Sequence, residues 1–258
     1  TAWPGRFEIV RAASGEPTVV VDGGHNPQGA RALADSLADV SHQIRTPLTA
    51  ITLMLPVVER ADDARERKRA VRELESMIER VSWLVTTLLK IAKVDAGAMH
   101  VERREVRAAE VARRAVGPLA TAMDLRDVNL VLQLDEAATF QGDAPWTAEA
   151  VENIAKNCME HTPPGGTVTV AVREDALATT IAVSDTGPGI APEDLPHIFE
   201  RFYRGGAVEE ANVAQPAGFG IGLSLAQALV SAQGGTLRAS NNPVGGARFE
   251  IAFPKLVV

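Results

Sequence analysis

From Pro27 to about Val58, apolar residues recur at Leu33, Leu37, Val40, Ile44, Leu48, Ile51, Leu55 and Val58, in steps of three and four with one irregularity near Pro47. That spacing predicts one apolar face along a single long helix. The charged stretch from Glu59 to Arg69 reads as a turn and the polar start of a second helix. There Val71, Leu74, Ile78, Val81, Val85 and Leu88 repeat the same spacing and define a coiled-coil-like seam. Two such helices form a hairpin. One apolar stripe has no second layer to cover it within a hairpin, so the pattern predicts burial against another copy, as a dimeric four-helix bundle.

Around Asp95-Ala96-Gly97 the repeat stops and short mixed elements begin, which sets the expected boundary between a hairpin domain over 39–97 and a second domain over 98–258. Strands are predicted at Glu102 to Val106, Val128 to Leu134, Thr167 to Arg173, Ala178 to Ser184, Thr236 to Ser240 and Arg248 to Phe253. Helices are predicted at Ala108 to Met123, Ala144 to His161 and Leu223 to Ala232, the second ended by Pro163-Pro164-Gly165-Gly166. The fold class is α+β: the helical hairpin followed by an α/β sandwich of one mixed sheet and a helical layer.

With 258 residues and 46% hydrophobic content, the chain has material for a core in each domain. No apolar run reaches the ~20 residues of a membrane span, and the first residues lack a basic-then-apolar signal pattern, so a cytoplasmic location is expected. A formal charge of −7 gives no electrostatic reason to expect nucleic-acid binding. Cys158 is the single cysteine, which excludes an intrachain disulfide and a cysteine-based metal site and reads as a small core residue.

Candidate chemistry lies in four blocks of the second domain. Asp185-Thr186-Gly187-Pro188-Gly189 follows a β-like run, so the Asp185 carboxylate stands at a strand end, able to accept a hydrogen bond from an exocyclic amine such as that of adenine. Gly187 and Gly189 let the backbone turn tightly against a ligand; taken alone, the pattern reads equally well as a simple turn. Upstream, Asn153 and Asn157 place two amides one helical turn apart, and an amide carbonyl is a suitable hard-oxygen ligand for Mg²⁺. Downstream, Gly218-Phe219-Gly220-Ile221-Gly222-Leu223 opens a helix whose free N–H groups can meet phosphates. Between them, Phe199 to Arg204 leads into a glycine-containing stretch that reads as a mobile lid. No G-x-x-x-x-G-K-[ST] loop exists, so a P-loop mechanism is excluded.

In this order the blocks resemble the asparagine, first glycine, phenylalanine and second glycine boxes of the sensor histidine kinases, and Ser41-His42-Gln43-Ile44-Arg45-Thr46-Pro47-Leu48 resembles their phosphoacceptor block. The likeness covers about residues 38 to 256. It implies a dimerising phosphotransfer hairpin and a Bergerat-type ATP-binding domain, with ATP and Mg²⁺ as cofactors, a response regulator receiver domain as partner, and a parent protein anchored in a membrane. It also implies roles: Asn157 on Mg²⁺, Asp185 on the adenine amine, Arg204 toward the terminal phosphate, and the Gly218 to Gly222 backbone around the triphosphate. Asn153, His161, Gly187, Gly189 and Leu223 complete the implied binding set. His42 is the implied nucleophile, although a histidine on an amphipathic helix is by default a surface or packing residue. It is offset from the Val40 and Ile44 seam. Pro47 would bend the helix beside it.

Two positions depart from the family pattern. Gln43 follows His42 where relatives often carry Glu or Asp as a general base; it can orient the ring but cannot take its proton. Glu160 stands where many relatives have Lys or Arg. Thr46, one turn after His42, matches the position that orients water for dephosphorylation of the partner.

Residues 1 to 38 carry a different resemblance. Trp3 to Glu8, followed by Pro17 to Pro27, is similar to the carboxy-terminal domain of folylpolyglutamate synthases. Those ligases need a P-loop domain absent here, so ligase activity is not expected, and Asp22, His25 and Asn26 read as a hairpin or helix entry rather than a metal or phosphate site. The helix from Pro27 continues in phase into the kinase helix, which points to a fused chain.

Overall fold

The computed structural model describes residues 8–10, 19–21, 27–61, 63–205 and 219–255, with side chains described from residue 44 onward. Strands β1 (Glu8–Val10) and β2 (Val19–Val21) pair antiparallel. Trp3, Asp22, His25 and Asn26 lie outside the described residues. Helix α1 (Pro27–Arg60) runs unbroken through Pro47 and Pro56, and α2 (Ala64–Asp95) follows after a turn shorter than the charged stretch suggests. Contacts divide the chain into two compact units, Thr1–Trp83 and Leu84–Val258.

The apolar stripe of α1 is only partly covered within one chain: Leu48 is 47% exposed and Leu55 49%. On α2 the covered row differs from the expected seam. Ala70, Leu84 and Ile91 are buried, whereas Ile78 and Val85 stay exposed. A three-four repeat leaves two adjacent apolar rows on such a helix, and the sequence does not say which one its own chain covers.

In the second unit, β3 (Arg104–Arg107) pairs with β5 (Thr139–Gly142) as a two-stranded ribbon. The β3 strand sits one to two residues later than predicted, and β5 had no expectation at all. The predicted helix from Ala108 to Met123 is in fact α3 (Ala108–Val116), a 3₁₀ turn over Gly117–Leu119 and α4 (Ala120–Leu125). Pro118 causes the break: it has no N–H to donate, and its ring collides with the carbonyl four residues back. Val116, Leu119 and Met123 keep the helical period across it and are all buried, which is why the pattern concealed it.

The main sheet has the order β4-β6-β7-β9-β8 (Asn129–Leu134, Thr167–Glu174, Ala178–Asp185, Ala247–Pro254, Thr236–Asn241). Only the β4 and β6 pair is parallel. Across it, Val170 faces Val183, Val172 faces Ile181, Ile181 faces Ile251 and Val183 faces Phe249. All of these side chains are buried. Helices α5 (Ala144–His161) and α6 (Gly222–Ala232) pack on each other and complete the layer with α3. Asp143 caps α5, accepting from the Trp146 N–H at 3.1 Å, an arrangement worth about 1 kcal/mol.

Candidate functional site

Side chains alternate along β7, so Ile181, Val183 and Asp185 share one face, and each is buried. The first two join the hydrophobic core. Asp185, at the strand's end, carries a carboxylate into the same layer. It is 4% exposed, and a charge there requires partners.

Those partners are backbone donors. The N–H groups of Gly187 (2.8 Å) and Ala247 (3.1 Å) both donate to Oδ1. Among the described residues no backbone N–H donates to Oδ2, and a carboxylate has capacity for further donors. From α5, the buried Cys158 thiol lies near the Asp185 carboxylate. Burial first, and the Asp185 charge second, push this thiol well above its ordinary pKa. Cys158 is fully buried in the core, which agrees with its reading as a small core residue.

Helix α5 is the common strut of the site. Near its middle, Asn153 donates from Nδ2 to the Glu149 carbonyl at 2.8 Å, and its Oδ1 lies 3.2 Å from where a side chain on Gly222 would begin. At its end, the His161 carbonyl lies 2.5 Å from the corresponding point on Gly187. Helix α5 thus abuts the first glycine-rich segment at Gly187 and the last glycine of the second at Gly222. Asn157 is half-buried on the same helix and His161 is exposed. Leu223 follows Gly222 in the first turn of α6.

The first glycine loop is held at further points. Thr186 Oγ1 accepts from the Thr167 N–H at 2.9 Å, and Asn241 bonds both backbone groups of Ile190, beside Gly189. Phe202 and Gly220 meet directly, the Phe202 N–H donating to the Gly220 carbonyl at 2.9 Å. Arg204 is exposed and makes no ion pair among the described residues. Gly218 and the greater part of the expected lid lie outside the described residues, as do the side chains of His42 and Gln43. The α1 backbone places Thr46 one turn beyond His42, and Thr46 is exposed.

Residues 142–257 match the family described as histidine kinase-, DNA gyrase B-, and HSP90-like ATPase, and residues 32–97 match the His Kinase A (phospho-acceptor) domain. The chain carries a sensor histidine kinase core. This core is 31% identical over 229 residues to sensor protein DivL of Caulobacter vibrioides, covering 86% of this chain and 28% of that protein. It is 27% identical over 224 residues to sensor-like histidine kinase SenX3 of Mycobacterium tuberculosis, covering 86% and 54%. The chain therefore spans about half or less of these relatives. Its fold superposes on histidine kinase ThkA, solved in complex with response regulator protein TrrA, with a TM-score of 0.68 at 19% identity over 97% of this chain and 74% of that one. The family-model matches begin at residue 32, and the likeness of residues 1 to 38 to a ligase gains no support from them.

The residues present suit a nucleotide carrying Mg²⁺. Among the described residues no cluster of three or more His, Cys, Asp or Glu could hold a metal by itself. An amide such as that of Asn157 supplies only part of a coordination shell, which fits an ion carried chiefly by phosphates and water. No helix among the described residues is long and apolar enough to cross a membrane.

Proposed function

We propose that this kinase core binds ATP between α5, the Asp185 loop and the start of α6, and transfers its terminal phosphoryl group to His42. The observation that carries the reading is that one helix, α5, meets both glycine segments, Asn153 against Gly222 and the helix end against Gly187, whose N–H donates to the buried Asp185 carboxylate. Asp185 accepts from the adenine amine, Asn157 offers its carbonyl to Mg²⁺, and the N–H groups from Gly218 to Gly222 and Leu223 face the phosphates. Gly189 and His161 border the base end. Bound Mg²⁺ neutralises charge on the phosphates, and Arg204 adds a cation toward the terminal one. A neutral ring nitrogen of His42 forms the new N–P bond while the bond from phosphorus to the ADP oxygen breaks. Incubation with γ-labelled ATP, followed by acid and alkali treatment of the labelled chain, tests the reaction.

From the phosphohistidine, the group passes to an aspartate of a response regulator receiver domain; ThkA, of the same fold, was solved with a response regulator. A second copy of the chain covers the exposed Leu48, Leu55, Ile78 and Val85 and forms the four-helix bundle. The core acts as the cytoplasmic segment of a membrane-anchored parent. The ligase-like residues 1 to 38 add no ligase chemistry.

Asp185→Asn replaces an acceptor by a group that presents a donor to the adenine amine. Calorimetry should record ATP affinity lower by roughly 1.5–3 kcal/mol, the worth of a hydrogen bond to a charged group. Unchanged affinity rejects the adenine role.

A second reading, a phosphatase-biased or weakly active scaffold that binds ATP, is favoured by Gln43 and by Glu160, which is exposed on α5. ATP binding without a phosphohistidine product selects it. Gln43→Glu restores a proton acceptor beside the imidazole, a function typically worth about 10²–10⁴-fold, and should accelerate autophosphorylation. A rate at or below the parent's shows that a conformational step limits turnover instead.

A further inference from the structure

The Asp185 to Ile190 loop is held by α5 on one side and by the turn joining β8 to β9 on the other. Gly246 has φ +86, and a side chain there would overlap the Asp185 carbonyl oxygen and approach Oδ1 to 3.1 Å. Its successor, Ala247, donates its N–H to that same Oδ1. At the far end of the loop, Asn241 uses its side-chain amide as strand backbone would be used. Its Oδ1 accepts from the Ile190 N–H at 2.8 Å and its Nδ2 donates to the Ile190 carbonyl at 2.7 Å. The turn also bonds to itself. Asn242 N–H donates to the Gly246 carbonyl (2.8 Å), Gly245 N–H to the Asn242 carbonyl (3.0 Å), and Asn242 Nδ2 to the Ala247 carbonyl (3.2 Å).

We infer that the β8 to β9 hairpin sets the base selectivity of the nucleotide site, with Gly246, Ala247 and Asn241 as positioning residues that act through Asp185 and the Gly189–Ile190 turn. A hydrogen bond weakens steeply with distance and misalignment, so a carboxylate selects an amine-bearing base only while its free oxygen is held in place. Asp185 is clamped on its backbone side by Gly246 and at Oδ1 by Ala247, which fixes where Oδ2 stands. Asn241 fixes the wall that follows. A purine lacking the exocyclic amine gains nothing from Asp185, so the hairpin contributes to ATP binding and not to binding of the amine-free nucleotide. The inference rests on the proposed adenine role of Asp185.

The test titrates the full chain with ATP and with purine riboside 5′-triphosphate, whose ring has no amine. It compares the parent chain with Asp185→Asn, Gly246→Ala and Asn241→Ala, and thermal unfolding reports on the fold of each. The parent should prefer ATP by about tenfold or more, as one charge-assisted hydrogen bond supplies. Gly246→Ala and Asn241→Ala should both bring that ratio toward unity while affinity for the amine-free nucleotide holds. If Gly246→Ala does not fold, Asn241→Ala decides alone, because its side chain is exposed and meets only loop backbone. A parallel loss of both nucleotides makes the hairpin merely structural and overturns the inference. A ratio abolished by Asp185→Asn but untouched by the other two overturns it as well, with the adenine role intact. A ratio that survives Asp185→Asn, or is absent from the parent, overturns the adenine role and the inference together.

Discussion

His42→Gln abolishes the acid-labile, alkali-stable label left by γ-labelled ATP, while ATP binding measured by calorimetry persists. The expectation follows from chemistry and from position. A phosphoryl group on an imidazole nitrogen leaves readily once the ring is protonated, which distinguishes it from serine or threonine esters that survive acid and yield to alkali. Glutamine has no ring nitrogen to attack phosphorus, so no residual pathway operates through position 42. Every group assigned to the nucleotide, from Asn153 to Leu223, comes from elements after residue 140, so binding does not depend on the residue removed. The chain has four other histidines, and they define the contrary result. His197 is the one to watch: its ring is about half exposed and its Nδ1 lies 2.7 Å from Glu200, a carboxylate placed as a proton acceptor would be. Undiminished labelling of His42→Gln, mapped to His197 or to any other residue, would remove the assignment.

The elements that sequence made legible are those whose pattern is local. Val168, Val170 and Val172 alternate along β6 as Ile181, Val183 and Asp185 do along β7, and this parity alone places the Asp185 carboxylate among helices. The asparagine pair on α5 and the glycine run before α6 were readable for the same reason, since each is one turn of helix or one loop. What pattern could not supply is which loop meets which. Gly246 and Asn241 stand more than 50 residues from the groups they hold, and nothing in Asn241 to Ala247 names Asp185 as the partner. The nearness of Cys158 to Asp185 is hidden in the same way, because a cysteine on the buried side of a helix has an ordinary explanation as core. Strand β5 escaped because it is four residues long with one large apolar side chain, Phe140. That ring stacks on Phe253 at 4.2 Å between centroids, a pairing set by tertiary structure alone.

Gly220→Ala should weaken ATP binding by about tenfold or more, roughly 1.4 kcal/mol, because the added carbon collides with backbone and shifts the donors assigned to the phosphates. Gly220 has φ +69, and the residue facing it, Phe202, is itself left-handed at φ 64. Their backbones touch through the Phe202 N–H and the Gly220 carbonyl. A Cβ on Gly220 would lie 2.6 Å from the Tyr203 carbonyl oxygen and 2.8 Å from the Phe202 carbonyl carbon, both backbone atoms. They cannot yield easily. Tyr203 is anchored through its hydroxyl, which donates to Asp194 at 2.7 Å, and through a ring contact with His197 at 5.4 Å. Displacement therefore falls on Gly220 and on the N–H groups of Ile221 and Gly222 that lead into α6, the donors assigned to phosphate. Gly165→Ala is the matched control: it has φ +79 with nothing within 4 Å of the added carbon, so it incurs the conformational cost without the collision, and it belongs to neither segment assigned to the phosphates. Calorimetry with ATP on both variants, with thermal unfolding alongside, separates the two effects. Gly165→Ala should lose stability and keep its affinity, and Gly220→Ala should lose affinity beyond its loss of stability. Equal affinities in the two variants would mean that the contact between Phe202 and Gly220 does not shape the phosphate end of the site.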